Sequence, residues 1–523
     1  MNSSNEINPI RLEVFKHLFT AIPEEMGAVL RKSSYSPNIK ERLDFSCALF
    51  DAEASMISQA AHIPVHLGAM PLSVQYSLKE IDLAPGDMVT LNDPYRGGTH
   101  LPDITLVAPI FVKDELFGFA ANRAHHADVG GMTAGSMPIA QELFQEGLII
   151  PPIKLIEAGE INQGNWNLIL ANVRTPVERA GDLRAQIAAN QRGVQRMQEL
   201  ANQYGIEDLS NYATALLDYT ERMTRNLLAE IPNGEYSFAD ALDDDGISDE
   251  PIPIKVSIKI EDHAATVDFN GSAPQQKGSV NAVYAITLSA VYYVFRCLLS
   301  ADVPNNSGSL RPIQVIAPES SVVNASHPAP VAGGNVETSQ RITDVLLGAL
   351  SQAMPDRIPA ASQGTMNNTL IGGIDPRNKR SFTYYETICG GMGARPGKDG
   401  ASGIHTHMTN TLNTPVEALE FAYPLQVMRY EIREGTGGAG QFKGGNGVYR
   451  DIKVLIEAQA TQLSERRKTK PYGLEGGEPG SQGVNILIRD SKETELPSKG
   501  TFDLKAGDIL SVRTPGGGGY GKK

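Results

Sequence analysis

The run from Asn92 to Asp103, NDPYRGGTHLPD, places Asp93, His100 and Asp103 close together. Gly97-Gly98 loosens the chain before the histidine, and Pro102 restricts it afterwards. An apolar stretch, Ile104 to Val112, follows. After the polar turn Lys113-Asp114-Glu115, a second apolar stretch from Leu116 to Ala124 delivers Arg123, His125, His126 and Asp128. Two such stretches around a short polar turn predict an antiparallel hairpin. If its centre is Asp114, positions 103 and 125 face each other, with Cβ atoms roughly 4.5–5.5 Å apart. Asp103 and His125 can then hold one ion between them, and His100 can fold back to the same point. Two neutral imidazoles and a carboxylate suit a first-row divalent metal such as zinc, manganese or iron. His-x-x-Asp is also a permissive pattern, and hydrogen-bonded polar residues at strand ends would show the same spacing.

Other candidates carry less chemistry. His62 and His66 are four apart, but Pro64 between them argues for a loop. His405 and His407 alternate as on a strand and read as satisfied structural residues. Asp243-Asp244-Asp245-Gly246 lacks the remaining positions of a calcium loop and reads as a solvated turn. Gly435 to Gly440 satisfies G-x-G-x-x-G, but a glycine-broken loop follows where a dinucleotide site needs a helix. Neither a P-loop nor a G-x-S-x-G nucleophile elbow occurs in the sequence. Pro515 to Gly521 reads as a mobile tail.

The elements that must position these residues are legible in part. Asn8 and Pro9 predict a cap and first turn for a helix towards Lys32, kinked at Pro23. Residues 44–130 read as sheet and loop. Leu183, Ile187, Val194, Met197 and Ala201 predict a helix ending at Gly205. Leu209, Ala213, Leu216, Thr220, Met223 and Leu227 predict a second, and the two form a helical hairpin. Ile252, Ile254, Val256, Ile258 and Ile260 alternate as in a strand with one buried face. Ala282 to Leu299 carries Thr287, Ser289, Tyr292, Tyr293 and Arg296, so it reads as a buried core helix and not a membrane span.

The chain has 523 residues, 51 of them glycine, and a net charge of −14. That charge repels nucleic acid and anionic membrane surfaces, so neither is an expected partner. Three scattered cysteines, without a C-x-x-C pair, fit a reducing, cytoplasmic compartment, and no secretory signal is visible at the N-terminus. The expected fold is α+β and multidomain, with mixed sheets. Residues 1–232 are expected to hold the metal site and the helical hairpin, 233–430 a mixed α/β middle region, and 431–523 a glycine-rich β region.

Several ordered stretches together resemble the hydantoinase B/oxoprolinase family over nearly the whole length. They are 41–46, 92–103, 123–131, 182–186, 335–341 (NVETSQR), 405–411, 437–445 and 465–468. The resemblance implies a subunit or half of an ATP-dependent enzyme: an N-methylhydantoinase, 5-oxoprolinase or lactam-opening amidase, or an acetone or acetophenone carboxylase. It implies metal ligands at Asp44, His100, Asp103 and His125. It also implies a hydantoinase A-like ATPase partner that uses ATP to phosphorylate the substrate, in a heterotetramer or larger assembly.

The implied activity is opening of a hydantoin, 5-oxoproline or lactam ring after that activation, with the metal activating a water. Asp93, His126 and Asp128 are the groups expected to orient the imidazoles or shuttle protons. An ATP-dependent ketone carboxylase is the alternative within the family. A non-haem iron oxygenase is the alternative outside it, although His-x-x-Asp with a fourth ligand departs from its usual triad.

Overall fold

The computed structural model describes residues 7–60 and 62–523. Seven strands from the first third of the chain carry the site. They are β1 (Phe45–Asp51), β2 (Met56–Gln59), β3 (Met88–Leu91), β4 (Asp103–Val112), β5 (Glu115–His125), β6 (Ile153–Glu157) and β7 (Glu160–Ile161). Their order in one antiparallel sheet is β2-β1-β5-β4-β3-β6-β7.

The hairpin β4–β5 pairs Asp103 with His125, as expected, but by a different route. Val112 pairs with Glu115 across a turn in which Lys113 has φ 57°, so the turn itself is centred between Lys113 and Asp114. Continued without interruption, that register would set Asp103 opposite Ala124. A register shift between Ile110 and Phe111 moves the pairing by one and brings His125 opposite Asp103. Since a slip of one residue reverses every side chain's face, this irregularity decides which face receives the histidine.

Both faces of β4 and β5 are covered, which is why their sequences are nearly continuous apolar runs. On one face Ala120 and Ala124 pack with Phe15, Phe19, Ile22 and Met26 of the helix Pro9–Ser33 and with Ala185 and Ala189 of the helix Pro176–Tyr204. On the other, Phe119 and Ala121 pack with Met70 and Val74 of the helix Ala69–Glu80. This last helix lies where sheet and loop were expected. It is short, carries Pro71 in its first turn and has only a narrow apolar stripe.

The helical hairpin is present: Pro176–Tyr204 and Ile206–Glu230 meet at Gly205, whose φ is 86°. Ile252–Glu261 alternates buried and exposed residues, and belongs to a four-stranded sheet with Gly234–Leu242, Ala264–Asp268 and Ile313–Ile316. Tyr284–Leu298 is a buried helix with Ile286, Val291 and Val294 in the main core. No helix of the described residues is long and apolar enough to cross a membrane. Two further sheets, of four and five strands, take up residues 368–513. The architecture is α+β and multidomain.

Two expectations about loops are overturned. Asp243, Asp244 and Asp245 are buried, not solvated. Asp243 accepts from the backbone of Arg467 and Thr469, and Asp244 pairs with Lys468 at 2.9 Å and Lys499 at 3.3 Å. The acidic run therefore answers the basic run at 466–468, a pairing across more than two hundred positions of chain. Nor is Pro515–Gly521 a mobile tail: it is buried and threaded between other glycine-rich segments. Gly517 N donates to Gly445 O at 2.9 Å, Gly518 N to Ala361 O at 2.8 Å and Gly438 N to Gly517 O at 2.8 Å.

Candidate metal centre

Three side-chain atoms converge where β4 begins and β5 ends. Asp103 Oδ1 lies 3.2 Å from His100 Nε2 and 3.2 Å from His125 Nδ1, and the two imidazole nitrogens are 3.2 Å apart. All three residues are buried. Among the described residues this is the one group of histidine, cysteine, aspartate and glutamate side chains close enough to share an ion. Asp103 and His125 meet through sheet register. His100 arrives through the turn Pro94–Arg96, which Gly97 closes at φ 84°, a left-handed conformation that favours glycine. The other Asp103 oxygen accepts from Thr99 Oγ1 at 2.6 Å and lies 3.3 Å from His66 Nε2.

This donor set fits a divalent ion. Ligands about 2.0–2.1 Å from a tetrahedral zinc stand roughly 3.3–3.4 Å from one another, close to the spacing found here. Burial pushes the His125 imidazole below its ordinary value despite its hydrogen bond to Asp103, so it is neutral with a lone pair to give. Burial would raise Asp103, but the histidines at 100, 66 and 125 outweigh it and hold the carboxyl well below the usual range. The outward nitrogens, His100 Nδ1 and His125 Nε2, have no hydrogen-bond partner. Packing orients the rings instead. Tyr385 stacks on His125 with centroids 4.5 Å apart, and the Arg42 guanidinium covers Tyr385 at 4.7 Å.

The remaining expected residues sit around this group. Asp44 holds His125 through its backbone oxygen, which accepts from His125 N at 3.0 Å. Its carboxylate lies outside the three-residue group and faces Arg42 at 3.7 Å; Leu43 before it has φ 60°. His126 Nε2 meets Gln186 Oε1 at 2.9 Å, and burial lowers this imidazole to about 4. Asp128 accepts from Arg174 Nη1 at 2.9 Å and from Gly130 N at 3.0 Å. Asp93 caps its turn by accepting from Tyr95 N at 2.9 Å, and burial raises its carboxyl.

Three side chains at the centre, Thr99, Tyr385 and Asn335, were not singled out from sequence, and a fourth, His66, was weighed and set aside. His66 stands in the short turn Pro64–His66, and Pro64, taken as a reason to set it aside, is what forms the turn. Asn335 Nδ2 lies 3.0 Å from His100 Nε2, across 235 positions of chain that no spacing rule spans. His405 and His407 are not strand neighbours. His405 is in irregular chain and His407 in the turn that follows, with φ 58°, and neither ring nitrogen of His405 has a partner.

The family model for hydantoinase B/oxoprolinase matches residues 8–523. The chain belongs to the hydantoinase B/oxoprolinase family. The 5-oxoprolinase 1 of Arabidopsis thaliana is 40% identical over 545 residues, which cover 99% of this chain and 42% of the plant protein. The chain thus spans about two fifths of that relative's length. A putative D-/L-hydantoinase subunit of Pseudomonas is 33% identical over 540 residues, 99% of this chain and 90% of that one. The ATP-dependent caprolactamase from Pseudomonas jessenii superposes with a TM-score of 0.93 at 29% identity, covering 99% of this chain and 92% of its own.

In this hydantoinase B/oxoprolinase chain a buried carboxyl supports the segment that leads to Asn335. Glu146 Oε1 accepts from Val331 N at 2.8 Å and Ala332 N at 2.9 Å, and Oε2 has no partner. Burial pushes this carboxyl up to about 8, so it is protonated at neutral pH. Between the ordinary value of 4.5 and about 8, the folded protein binds more protons than the unfolded one. Stability therefore falls as pH rises through that window and levels off above it. Glu146→Gln keeps both accepted hydrogen bonds. It is expected to flatten the slope and to be the more stable form at about pH 9, by on the order of a few kcal/mol. Urea unfolding of both forms across the window measures this; parallel slopes would show that Glu146 is not the titrating group.

Proposed function

We infer that this chain is the metal-bearing subunit of an ATP-dependent amidohydrolase that opens a cyclic amide or imide such as a hydantoin, 5-oxoproline or a lactam. The observation that carries the reading is the buried convergence of His100, Asp103 and His125 within 3.2 Å of one another. The names of the plant 5-oxoprolinase, the hydantoinase subunit and the ATP-dependent caprolactamase support the substrate class and the need for ATP. In this reading a hydantoinase A-like partner phosphorylates the substrate, because amides of small rings resist hydrolysis and this chain has no P-loop.

His100, Asp103 and His125, with Asp44 as a fourth ligand, would hold a divalent ion, which would supply activation of a water and polarisation of the carbon under attack. The chain's own residues set the geometry. Neutral His125 offers its lone pair, and Asp103 brings the negative charge. For His126, Asp128 and Asp93 we assign positioning roles. Gln186 holds His126, Arg174 ties Asp128 to the Gly130–Gly131 turn, and Asp93 fixes the turn that delivers His100. Burial among Tyr385, His66 and Thr99 keeps bulk water from the group.

The test is to co-purify the chain with its ATPase partner and follow ADP and ring-opened product with hydantoins, 5-oxoproline, lactams, and ketones plus bicarbonate. ADP release coupled to ring opening is expected. Turnover that requires a ketone and bicarbonate would replace this reading with a carboxylase.

A further inference from the structure

Asn335 lies in Gly334–Thr338, a single turn of π-helix that runs into the helix Ser339–Leu350. Such a turn re-aims side chains, and it recurs at functional sites. Here it is held from several sides. Gly334 N donates to Ser279 O at 3.0 Å, the Thr338 hydroxyl donates to Val280 O, and Ser339 Oγ donates to Asn335 O at 2.7 Å. A Cβ at 334 would overlap the Asn281 carbonyl, so the backbone seats there only as glycine. The Asn335 carboxamide is thereby fixed: 4% exposed, with Nδ2 3.0 Å from His100 Nε2 and Oδ1 buried without a partner.

The contact with His100 pairs Nδ2 only while the imidazole keeps its lone pair. Once that lone pair is given to a metal, the carboxamide holds a donor and an acceptor that nothing on the chain satisfies, and buried polar groups are rarely left so. A carboxamide with both edges free matches another amide edge that presents C=O and N–H side by side. Small rings hold their amide in that cis arrangement.

We propose that Asn335 holds the reacting amide group of the substrate, Nδ2 donating to the oxygen on the carbon under attack, which carries the phosphoryl group after activation, and Oδ1 accepting from the N–H of the bond that opens, a hydrogen the nitrogen keeps in the protonated imidate. The assignment rests on the cyclic-amide reading and refines it: the ring must carry hydrogen on that nitrogen. It is a substrate contact and not a ligand of the metal.

The experiment loads the full chain with cobalt(II) and titrates it with 2-pyrrolidinone and N-methyl-2-pyrrolidinone, following the visible absorption of the bound cobalt. Wild type, Asn335→Ala and Asn335→Leu are compared; alanine removes the carboxamide, and leucine keeps its branched outline, somewhat enlarged, without the polar edge. All three are expected to hold equal cobalt. Wild type should bind pyrrolidinone at least about 10-fold more tightly than its N-methyl analogue, and both variants should lose that preference. Variants that keep the preference, or pyrrolidinone that leaves the wild-type spectrum unchanged, would overturn the proposal. So would loss of cobalt from the variants, which would make Asn335 a ligand. Pyrrolidinone bound through Asn335 by a chain that opens no cyclic amide with its partner and ATP would sink the hydrolase reading and leave this contact standing.

Discussion

Asp103→Asn is expected to purify with roughly a tenth or less of the wild-type metal, because a direct ligand should matter at least as much as the outer groups whose loss costs about 10–100-fold in affinity. If the chain works in the proposed amidohydrolase, its ring-opening rate should fall about 10³-fold or more, close to 4 kcal/mol of barrier. Asp103 is the hub of the site. One oxygen faces both His100 and His125 at 3.2 Å; the other faces Thr99 at 2.6 Å and His66 at 3.3 Å. Asparagine keeps the volume and an acceptor for Thr99, so the fold should survive, but it brings no charge to offset a divalent ion. Elemental analysis of wild type and variant decides the matter, with thermal unfolding as the control for folding. Full metal content in the variant would mean that the ion is bound elsewhere.

Gly518→Ala is expected to destabilise the chain by at least about 3 kcal/mol, the upper end of overpacking costs, because backbone and not a movable side chain stands in the way. A Cβ at 518 would collide with the Tyr472 carbonyl, one at 517 with Met392 and one at 444 with Gly517. None of these three glycines has positive φ, so close approach of chains, not turn geometry, demands them. Gly435→Ala is the contrast. Its φ is 75° and nothing lies within 4 Å of a Cβ there, so the cost should be about 1 kcal/mol from strain alone. Denaturant unfolding of the two variants separates packing from strain, and equal losses would refute the packing account. The effect should reach the site, because Tyr472 Oη donates to Asp344 O at 2.7 Å and Asp344 lies on the helix that the Asn335 turn opens.

How far the residues could be read from sequence depended on the distance over which their partners lie. The strand at Ile252–Glu261 and the two long helices meeting at Gly205 follow from local periodicity, and the Tyr284–Leu298 helix from a long apolar run interrupted by polar residues, all of which a single segment displays in full. The pairing of Asp103 with His125 was legible because a hairpin is a local element. Yet the turn alone would have set it one residue wrong, and the shift at Ile110/Phe111 restores it. Asp44 entered through family resemblance and not through spacing. Asp243–Asp245 read as solvent-facing because acidic residues usually are; their burial is explained by Lys468, Lys499, the backbone of 467–469 and, for Asp245, the backbone N–H groups of Ile247, Ser248 and Gly278. The terminal glycines were misread for the same reason, since glycine without neighbours suggests mobility and glycine pressed between backbones is rigid.

By itself the sequence pointed to three side chains that converge, His100, Asp103 and His125, and to the hairpin that presents two of them, along with several helices and strands, the acidic balance and the family. These depend on residue type and on neighbours within a few tens of positions. Tertiary structure alone decided that His66, Thr99, Tyr385 and Asn335 close around the three converging side-chain atoms, and that a glycine-lined backbone layer carries the C-terminal region. Those contacts join segments up to hundreds of residues apart, and burial, which sets the charge state of His125 and of Glu146, exists only once those segments have packed.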